Sequence, residues 1–211
     1  SKAPFPIVWV VSSSGRLLTL TYIPEQRIGA WHYQDTGDGD TFVSVCVVTE
    51  GDDDAVYVAV KRTIGGNVKT YVERFAARQY PTLEDEEDET APQYDLVNSV
   101  FLDSSLTYTG TAATTVTGLG HLEGRTVSIL GDGAVFPDKV VTSGAVTLDN
   151  PASTITVGLP IVADLQTLPM VYQGEAFGQG RIKNVNKAWL RLYRSSGVKV
   201  GPSFGKLTEY K

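Results

Sequence analysis

The stretches Phe42-Val43-Ser44-Val45-Cys46-Val47-Val48 and Val56-Tyr57-Val58-Ala59-Val60-Lys61 decide the fold class of this chain. Apolar side chains recur at every second position in both stretches. That is the period of a β-strand, whereas a helix would repeat its apolar positions every 3.6 residues. The first stretch places Val43, Val45 and Val47 on one face. We therefore predict two neighbouring strands of an antiparallel, all-β protein.

The same period continues on both sides of these two strands. Residues 7–11 and 18–22 flank the turn 12–15 and predict a β-hairpin, and residues 28–33 lead into the Gly- and Asp-rich turn 35–40. A weak internal repeat relates residues 8–22 to residues 56–71, at an offset typical of propeller blades. We predict that residues 1–96 form a propeller-like meander of partial blades.

Charged residues become sparse after residue 96, and Thr, Val and Gly dominate to residue 170. Short strands are predicted at 99–103, 113–117, 126–130, 135–142, 145–148 and 154–159, separated by Gly-rich or Asn-Pro turns. They indicate a small inserted β-barrel or sandwich domain over 97–170. Residues 171–211 are predicted to return to the first domain through a basic strand at 187–194. Helix is expected to be scarce, with one turn of it at 96–100.

Composition excludes several classes of protein. The 211 residues are 42% hydrophobic and 20% charged, which is typical of a globular chain and not of a disordered one. The single cysteine, Cys46, cannot form an intrachain disulfide, and its apolar strand predicts a buried, inert thiol. Neither a long apolar run nor a signal peptide is present, so we expect a soluble protein without a membrane segment.

No motif indicates catalysis, a cofactor or a metal. His32 and His121 are the only histidines, and neither is accompanied by a nucleophile motif, so we interpret both as structural. The acidic run Glu84, Asp85, Glu86, Glu87, Asp88, Glu89 is predicted to be an exposed loop, because adjacent like charges repel one another. A divalent-cation site in this run is the lesser alternative.

The formal charge of -6 hides an uneven distribution. Residues 1–96 carry -8, residues 97–170 carry -4 and residues 171–211 carry +6. In the basic segment, Lys187, Arg191 and Arg194 alternate with Trp189 and Tyr193, a pattern that can contact phosphates and stack on bases. The alternative is that these cations occupy the wet face of a strand and protect a sheet edge.

Several stretches resemble a known group of phage proteins. Those of the middle segment are 106–108, 114–119, 121–124, 130–135, 146–148 and 157–160. They resemble a module of phage and prophage structural proteins, which is similar to the β-barrel "first catalytic cysteine half" domain of ubiquitin-activating enzymes. Residues 15–22, 25–26, 30–32 and 56–62 resemble the propeller portion of tail tubular, or nozzle, proteins of short-tailed phages.

The resemblance implies a non-enzymatic component of a phage or prophage virion. It implies a tail tube or nozzle through which DNA is ejected, assembled in the bacterial host cytoplasm from other tail and portal subunits and from copies of itself, with sixfold symmetry. A complete nozzle subunit would carry further blades, so the chain is expected to be a piece of a longer protein. DNA contact would be transient. The acids of the run 84–89, together with Asp52, Asp53 and Asp54, are then expected to face solvent or the channel.

Two other functions remain open. The chain could be a carbohydrate- or receptor-binding module of a phage tail, with Trp9, Trp31, Tyr33 and Trp189 presenting flat faces to sugar rings. It could also be an enzyme that acts on the cell envelope, although no catalytic motif supports this.

Overall fold

A computed structural model describes residues 1, 6–76, 82–83, 93–167, 185, 187–192 and 197–210, with residues 82–83, 93–94 and 210 described by their backbone only. The all-β prediction is confirmed. Every strand pairing is antiparallel, and helical structure among the described residues is limited to two 3₁₀ turns, at Pro24–Gln26 and Gly120–Leu122. Contacts divide the chain into two units, Ser1–Ala163 and Asp164–Lys211.

The amino-terminal part of the first unit consists of two three-stranded sheets. The first has the order β1-β2-β3 and the second the order β4-β5-β6. Their strands are β1 (Ile7–Val11), β2 (Leu17–Ile23), β3 (Ile28–Gln34), β4 (Thr41–Glu50), β5 (Asp53–Ile64) and β6 (Asn67–Arg74). The hairpins predicted from the alternation are therefore present, while the propeller arrangement stays a prediction.

A small core lies between these strands. Leu17, Phe42, Val58 and Val60 are buried, and Trp9 packs against Phe75 with ring centroids 5.5 Å apart. The alternation of β5 continues beyond the predicted stretch, because Val56, Val58, Val60 and Ile64 are all buried. Burial of such side chains contributes about 1.5–3 kcal/mol each, which makes this face of β5 the main source of stability in the sheet.

Two sequence-based expectations for β4 are wrong. The register with β5 shifts between Phe42 and Ser44, so a bulge turns Val43 outward and puts Phe42 on the buried face instead. Cys46 is exposed, not buried. Its side chain shares a sheet face with Tyr57, its partner on β5.

The third sheet has the order β11-β10-β12-β9. Its strands are β9 (Leu102–Thr117), β10 (Thr126–Gly131), β11 (Ala134–Val140) and β12 (Ala145–Pro160); two-residue strands β7 (Thr82–Leu83) and β8 (Gln93–Tyr94) pair with each other before it. The strands predicted at 99–103 and 113–117 are one strand, and so are those predicted at 145–148 and 154–159. The expected break at Pro151 is a register irregularity between Thr147 and Ala152 in one continuous strand.

The long strands bend over a second core. Twelve buried residues, among them Leu119, Leu122, Ile155 and Val157, form one cluster on the inner face. β9 and β11 remain unpaired with each other, so the sheet is open and does not close into a barrel. The predicted helical turn at 96–100 is an irregular turn at residues 96–98.

The second unit contains one described hairpin, β13 (Val198–Ser203) and β14 (Lys206–Tyr210). The predicted strand at 187–194 is not formed over its described part, residues 187–192. Trp189, Leu190 and Leu192 are 90%, 56% and 53% exposed, so neither set of alternate side chains packs on a partner that would hold a strand. Within the described residues, no helix is long and apolar enough to cross a membrane.

Candidate functional site: a buried arginine cluster and an exposed sheet face

Arg62 lies at a position of β5 where the alternation predicts an apolar residue. It follows Val56, Val58 and Val60 on the buried face, and its side chain is 1% exposed. A charge removed from water at this depth is very costly unless opposite charges and hydrogen bonds surround it. The sequence position of Arg62 therefore requires acidic partners from other elements.

Three carboxylates supply those partners. Arg62 Nε and Nη2 each donate to Glu73 across 2.6 Å, while Nη2 and Nη1 donate to Asp103 across 2.9 and 3.0 Å. Nη1 also donates to Asp40 Oδ2 at 3.2 Å. Glu73 lies on β6, beside Arg62 in the same sheet, and Asp103 lies on β9, so the bidentate pair with Asp103 links the sheet β4-β5-β6 to the long strand of the third sheet.

Arg125 extends the cluster from the segment that precedes β10. Its Nη2 donates to Asp40 Oδ1 at 3.0 Å and to the Thr63 carbonyl at 2.6 Å. Its Nη1 lies 3.0 Å from Asp38 Oδ2 and 2.9 Å from Asp40 Oδ2, which are ion-pair distances without an aligned hydrogen bond. The side chain of Asp40, only 5% exposed, is thus shared between two guanidinium groups.

The Gly- and Asp-rich turn at 35–40 delivers Asp40 to this position. The Gly37 amide donates to Asp103 Oδ2 at 2.8 Å, and Thr36 Oγ1 donates to the Asp40 carbonyl at 2.9 Å. A Cβ atom on Gly37 would lie 2.7 Å from the Leu159 Cβ. Glycine is needed here because the turn lies directly against the end of β12.

The protonation of the cluster follows from these contacts. Burial by itself would raise the pKa of Asp40, but hydrogen bonds from Arg125, the Thr63 amide and Arg62 hold it below its usual value. Burial by itself would lower the pKa of Arg62, but Glu73 and Asp103 raise it above its usual value. The lowered pKa keeps Asp40 an ionised acceptor in a structural ion network.

The sheet β1-β2-β3 carries a second feature, an exposed apolar face. The register aligns Val8 with Leu20 and Trp31, and Val10 with Leu18 and Tyr33. Directly opposed residues of an antiparallel pair share a face. With Tyr22, these residues form what we call the aromatic face: Val8, Val10, Leu18, Leu20, Tyr22, Trp31 and Tyr33. Trp31, Tyr22 and Tyr33 are 65%, 54% and 53% exposed.

A cation borders the aromatic face. The Arg16 guanidinium carbon lies 4.6 Å from the centre of the Tyr33 ring, and Arg16 Nε pairs with Asp35 Oδ1 at 3.2 Å. The guanidinium makes a cation–π contact with Tyr33 and leaves half of this side chain exposed. An apolar patch that spans three strands and has a polar rim is typical of an interaction surface.

The structure places the aromatic residues of the carbohydrate hypothesis in three different settings. Trp31 and Tyr33 share the aromatic face. Trp9 points to the opposite face and packs in the core, and its Nε1 donates to Ser1 Oγ at 3.1 Å. Trp189 is 90% exposed in the second unit. Within the first unit, Trp31 and Tyr33 therefore share a face from which Trp9 points away.

The charged residues singled out from the sequence are described only in part. Asp52 and Asp53 are exposed, and Asp54 is half-buried and accepts a hydrogen bond from Thr49 Oγ1 at 3.0 Å. Lys187 and Arg191 are exposed. The acidic run 84–89, Arg194 and the aromatic residue Tyr193 beside it lie outside the described residues.

The two histidines are far apart in the chain and in different settings. His32 is exposed on β3, where its carbonyl accepts from Thr19 Oγ1 at 3.1 Å. His121 Nε2 lies 3.0 Å from the Ser104 carbonyl. Within the part of the chain that the structure describes, no three His, Cys, Asp or Glu side chains are placed so that they could hold a metal ion.

Comparison of the chain with protein-family models and with curated proteins finds no match.

Sequence reasoning missed the arginine cluster, although a signal for it exists. Arg62 continues the buried face of β5, and a cation at an apolar position of a strand indicates buried acidic partners. The identity of those partners has no local signal, because Asp40, Asp103 and Arg125 lie far from Arg62 in sequence and are brought to it only by folding.

Proposed function

We propose that the chain is a non-enzymatic structural component of a phage or prophage virion, part of a tail tube or nozzle through which DNA is ejected. It acts through its shape and through contacts with neighbouring subunits, including other tail and portal subunits. Its partners recognise the surface of the sheets, and no bond chemistry is involved.

The observation that carries this proposal is how the charged groups are used. The carboxylates of the cluster are engaged by Arg62 and Arg125, which join the sheet β4-β5-β6 to the third sheet. Several apolar side chains of the sheet β1-β2-β3, in contrast, are exposed as the aromatic face. A chain that uses its buried charges for cohesion and leaves an apolar sheet face uncovered has the features of a subunit in an assembly. The sequence resemblance supplies the kind of assembly.

Localisation in particles tests the proposal. Antibodies against the chain should label the tail end of particles purified from the source strain, and electron cryomicroscopy should place the three sheets in the tail wall. A capsid protein serves as the positive control. Particles that contain the capsid protein but lack this chain would contradict the proposal, and so would cleavage of host wall material by the purified chain in zymography.

The exposed pair Trp31 and Tyr33 favours one alternative, a carbohydrate- or receptor-binding module of a phage tail. Flat aromatic rings on a sheet surface can stack on the apolar faces of sugars. A glycan array separates the two functions. A specific hit that is lost in Trp31→Ala and Tyr33→Ala would favour the alternative, and a blank array favours the structural role.

A further inference from the structure

Among the described residues, the outer edge of β3 shows none of the charges, prolines or bulges by which proteins protect a sheet edge. β3 has the sequence Ile-Gly-Ala-Trp-His-Tyr-Gln, seven residues without Lys, Arg, Asp, Glu or Pro. Its register with β2 runs without a shift from Ile23–Ile28 to Leu17–Gln34, so no bulge turns the edge away. Its first six residues are exposed. Such an edge is a template for another strand.

In the described sheets of three or four strands, the other edge strands are all protected. β1 has only five residues, and Ser1 covers its beginning through two hydrogen bonds with Ile7, of 3.0 and 2.9 Å. β4 and β9 contain register shifts, β6 carries Lys69, Glu73 and Arg74, and β11 contains a bulge, Pro137, Asp138 and Lys139. The absence of protection at β3 is thus specific to one strand.

We propose that β3 pairs antiparallel with β3 of a second copy of this chain, about a twofold axis beside Trp31. This interface joins two three-stranded sheets into one six-stranded sheet. A second copy is the occupant because β3 is uncharged and can pair with itself without repulsion, whereas an acidic or basic strand would find no counter-charge on it. The proposal does not depend on the virion role.

The register about Trp31 is self-complementary. Trp31 lies opposite Trp31 of the second copy, and Gly29 lies opposite Tyr33 of the second copy on the same face. Gly29 has a negative φ, and nothing lies within 4 Å of the position its Cβ would take, so there is open space for the Tyr33 ring. Tyr22, the β2 partner of Gly29, forms the far wall of this space. An aromatic ring over an edge glycine is a known stabilising pair in sheets.

The size of this interface predicts its strength. Trp31, Tyr22 and Tyr33 are each more than half exposed, and an aromatic side chain can bury 150–250 Å². Covering them in both copies would remove at most roughly 500–1,000 Å² from water, which is below the range of stable interfaces and typical of weak, transient ones. We expect a dimer with a dissociation constant on the order of micromolar, not an obligate one.

Sedimentation velocity of the 211-residue chain over a micromolar-to-submillimolar series tests the pairing. The wild-type chain should dimerise with rising concentration, and amide hydrogen exchange within residues 28–34 should slow as the dimer forms. Trp31→Lys places two cations opposite each other and should raise the dissociation constant by at least about tenfold. Val72→Lys is the matched control, because Val72 is 78% exposed on the protected edge β6, and it should dimerise like wild type.

Gly29→Val tests the register without adding charge. Valine favours a strand and has room on the monomer, so the fold should be kept while the space for Tyr33 of the second copy is filled. We expect weaker dimerisation with an unchanged circular dichroism spectrum. A chain that stays monomeric throughout, a dimer without slowed exchange in residues 28–34, or equal weakening by Trp31→Lys and Val72→Lys would overturn the proposal.

Discussion

Arg62 illustrates how a single buried charge organises its surroundings. Two bidentate pairs with Glu73 and Asp103, and a further hydrogen bond to Asp40, offset the loss of water around the guanidinium. If the cation is removed, the carboxylates remain in a partly dehydrated site without their main counter-charge. Removing one partner of a buried ion pair therefore costs more stability than replacing the whole pair by apolar residues of similar volume.

We expect Arg62→Met to lower the free energy of unfolding by about 3–5 kcal/mol, measured by urea denaturation at neutral pH. Arg74→Met is the matched control. Arg74 pairs with Glu50 at 2.8 Å, but their side chains are 48% and 39% exposed, and loss of such a surface pair costs at most about 1 kcal/mol. Equal effects of the two substitutions would mean that the cluster does not contribute to cohesion.

Asp40 gives the cluster a pH dependence. Its pKa in the folded protein lies below its usual value, so the unfolded chain binds the proton more readily. The stability that Asp40 contributes is thus complete above the usual pKa of about 3.9 and is lost as the pH falls through the lower folded value.

Urea midpoints measured between about pH 6 and pH 3 should reveal this contribution. We expect the wild-type midpoint to fall more steeply than that of Asp40→Asn at the acidic end, because the variant has no carboxylate to protonate there. Asp149→Asn, which removes an exposed partner of Lys139, is the control and should keep the wild-type slope. Parallel curves for wild type and Asp40→Asn would contradict the assignment.

At the scale of elements, the bulge in β4 decides which side chains reach the core. Strict alternation from Val45 would bury Val43, but the extra residue puts Phe42 inside, opposite Val60, and leaves Val43 47% exposed. A strand period is local, whereas a bulge depends on the neighbouring strand and on the turn at 35–40 that precedes it.

The bulge predicts opposite outcomes for two adjacent substitutions. Phe42→Ala should destabilise the protein by about 3–5 kcal/mol, because it empties a buried aromatic site. Val43→Ala should change the free energy of unfolding by no more than about 0.5 kcal/mol. Thermal or urea denaturation of both variants checks the prediction. A larger loss of stability in Val43→Ala than in Phe42→Ala would mean that Val43, and not Phe42, occupies the buried face.

At the scale of the whole molecule, charge is divided along the chain. Residues 171–211 carry +6 and residues 1–96 carry -8. Within the basic segment, Lys187 and Arg191 are exposed and belong to no strand, so they are not paired along a sheet edge. Contact of these cations with the phosphates of a transient DNA partner therefore stays a prediction.

We expect the chain to bind duplex DNA weakly at about 50 mM salt and to lose most of this binding by about 200 mM, since phosphate contacts release counterions. Replacing Lys187 and Arg191 together by Glu should weaken binding further at low salt. The double variant Lys61→Glu and Lys69→Glu, in the acidic segment, is the control. Fluorescence anisotropy measures DNA binding by the wild-type chain and by both double variants. Binding that does not respond to salt would refute the phosphate contact.

Much of the local structure could be predicted from the sequence. The period-two pattern identified the strands of both amino-terminal sheets, and Gly-rich turns placed the hairpins, because strand period and turn chemistry depend on residues a few positions apart. The same reasoning failed at Pro151, which lies within a continuous β12 as a register irregularity, since only the partner strand β9 can accommodate it.

The sequence by itself determined that this is an all-β chain with a polarised charge distribution and no disulfide within its 211 residues, because period, composition and cysteine count are properties of the chain alone. The tertiary structure decided that Arg62 is buried among carboxylates, that Cys46 is exposed, and that no described strand pairs with the outer edge of β3 or keeps the aromatic face from solvent. Burial and exposure depend on which other parts of the chain pack against each residue. Pairs such as Asp40 and Arg125, 85 residues apart, meet only when separate sheets come together.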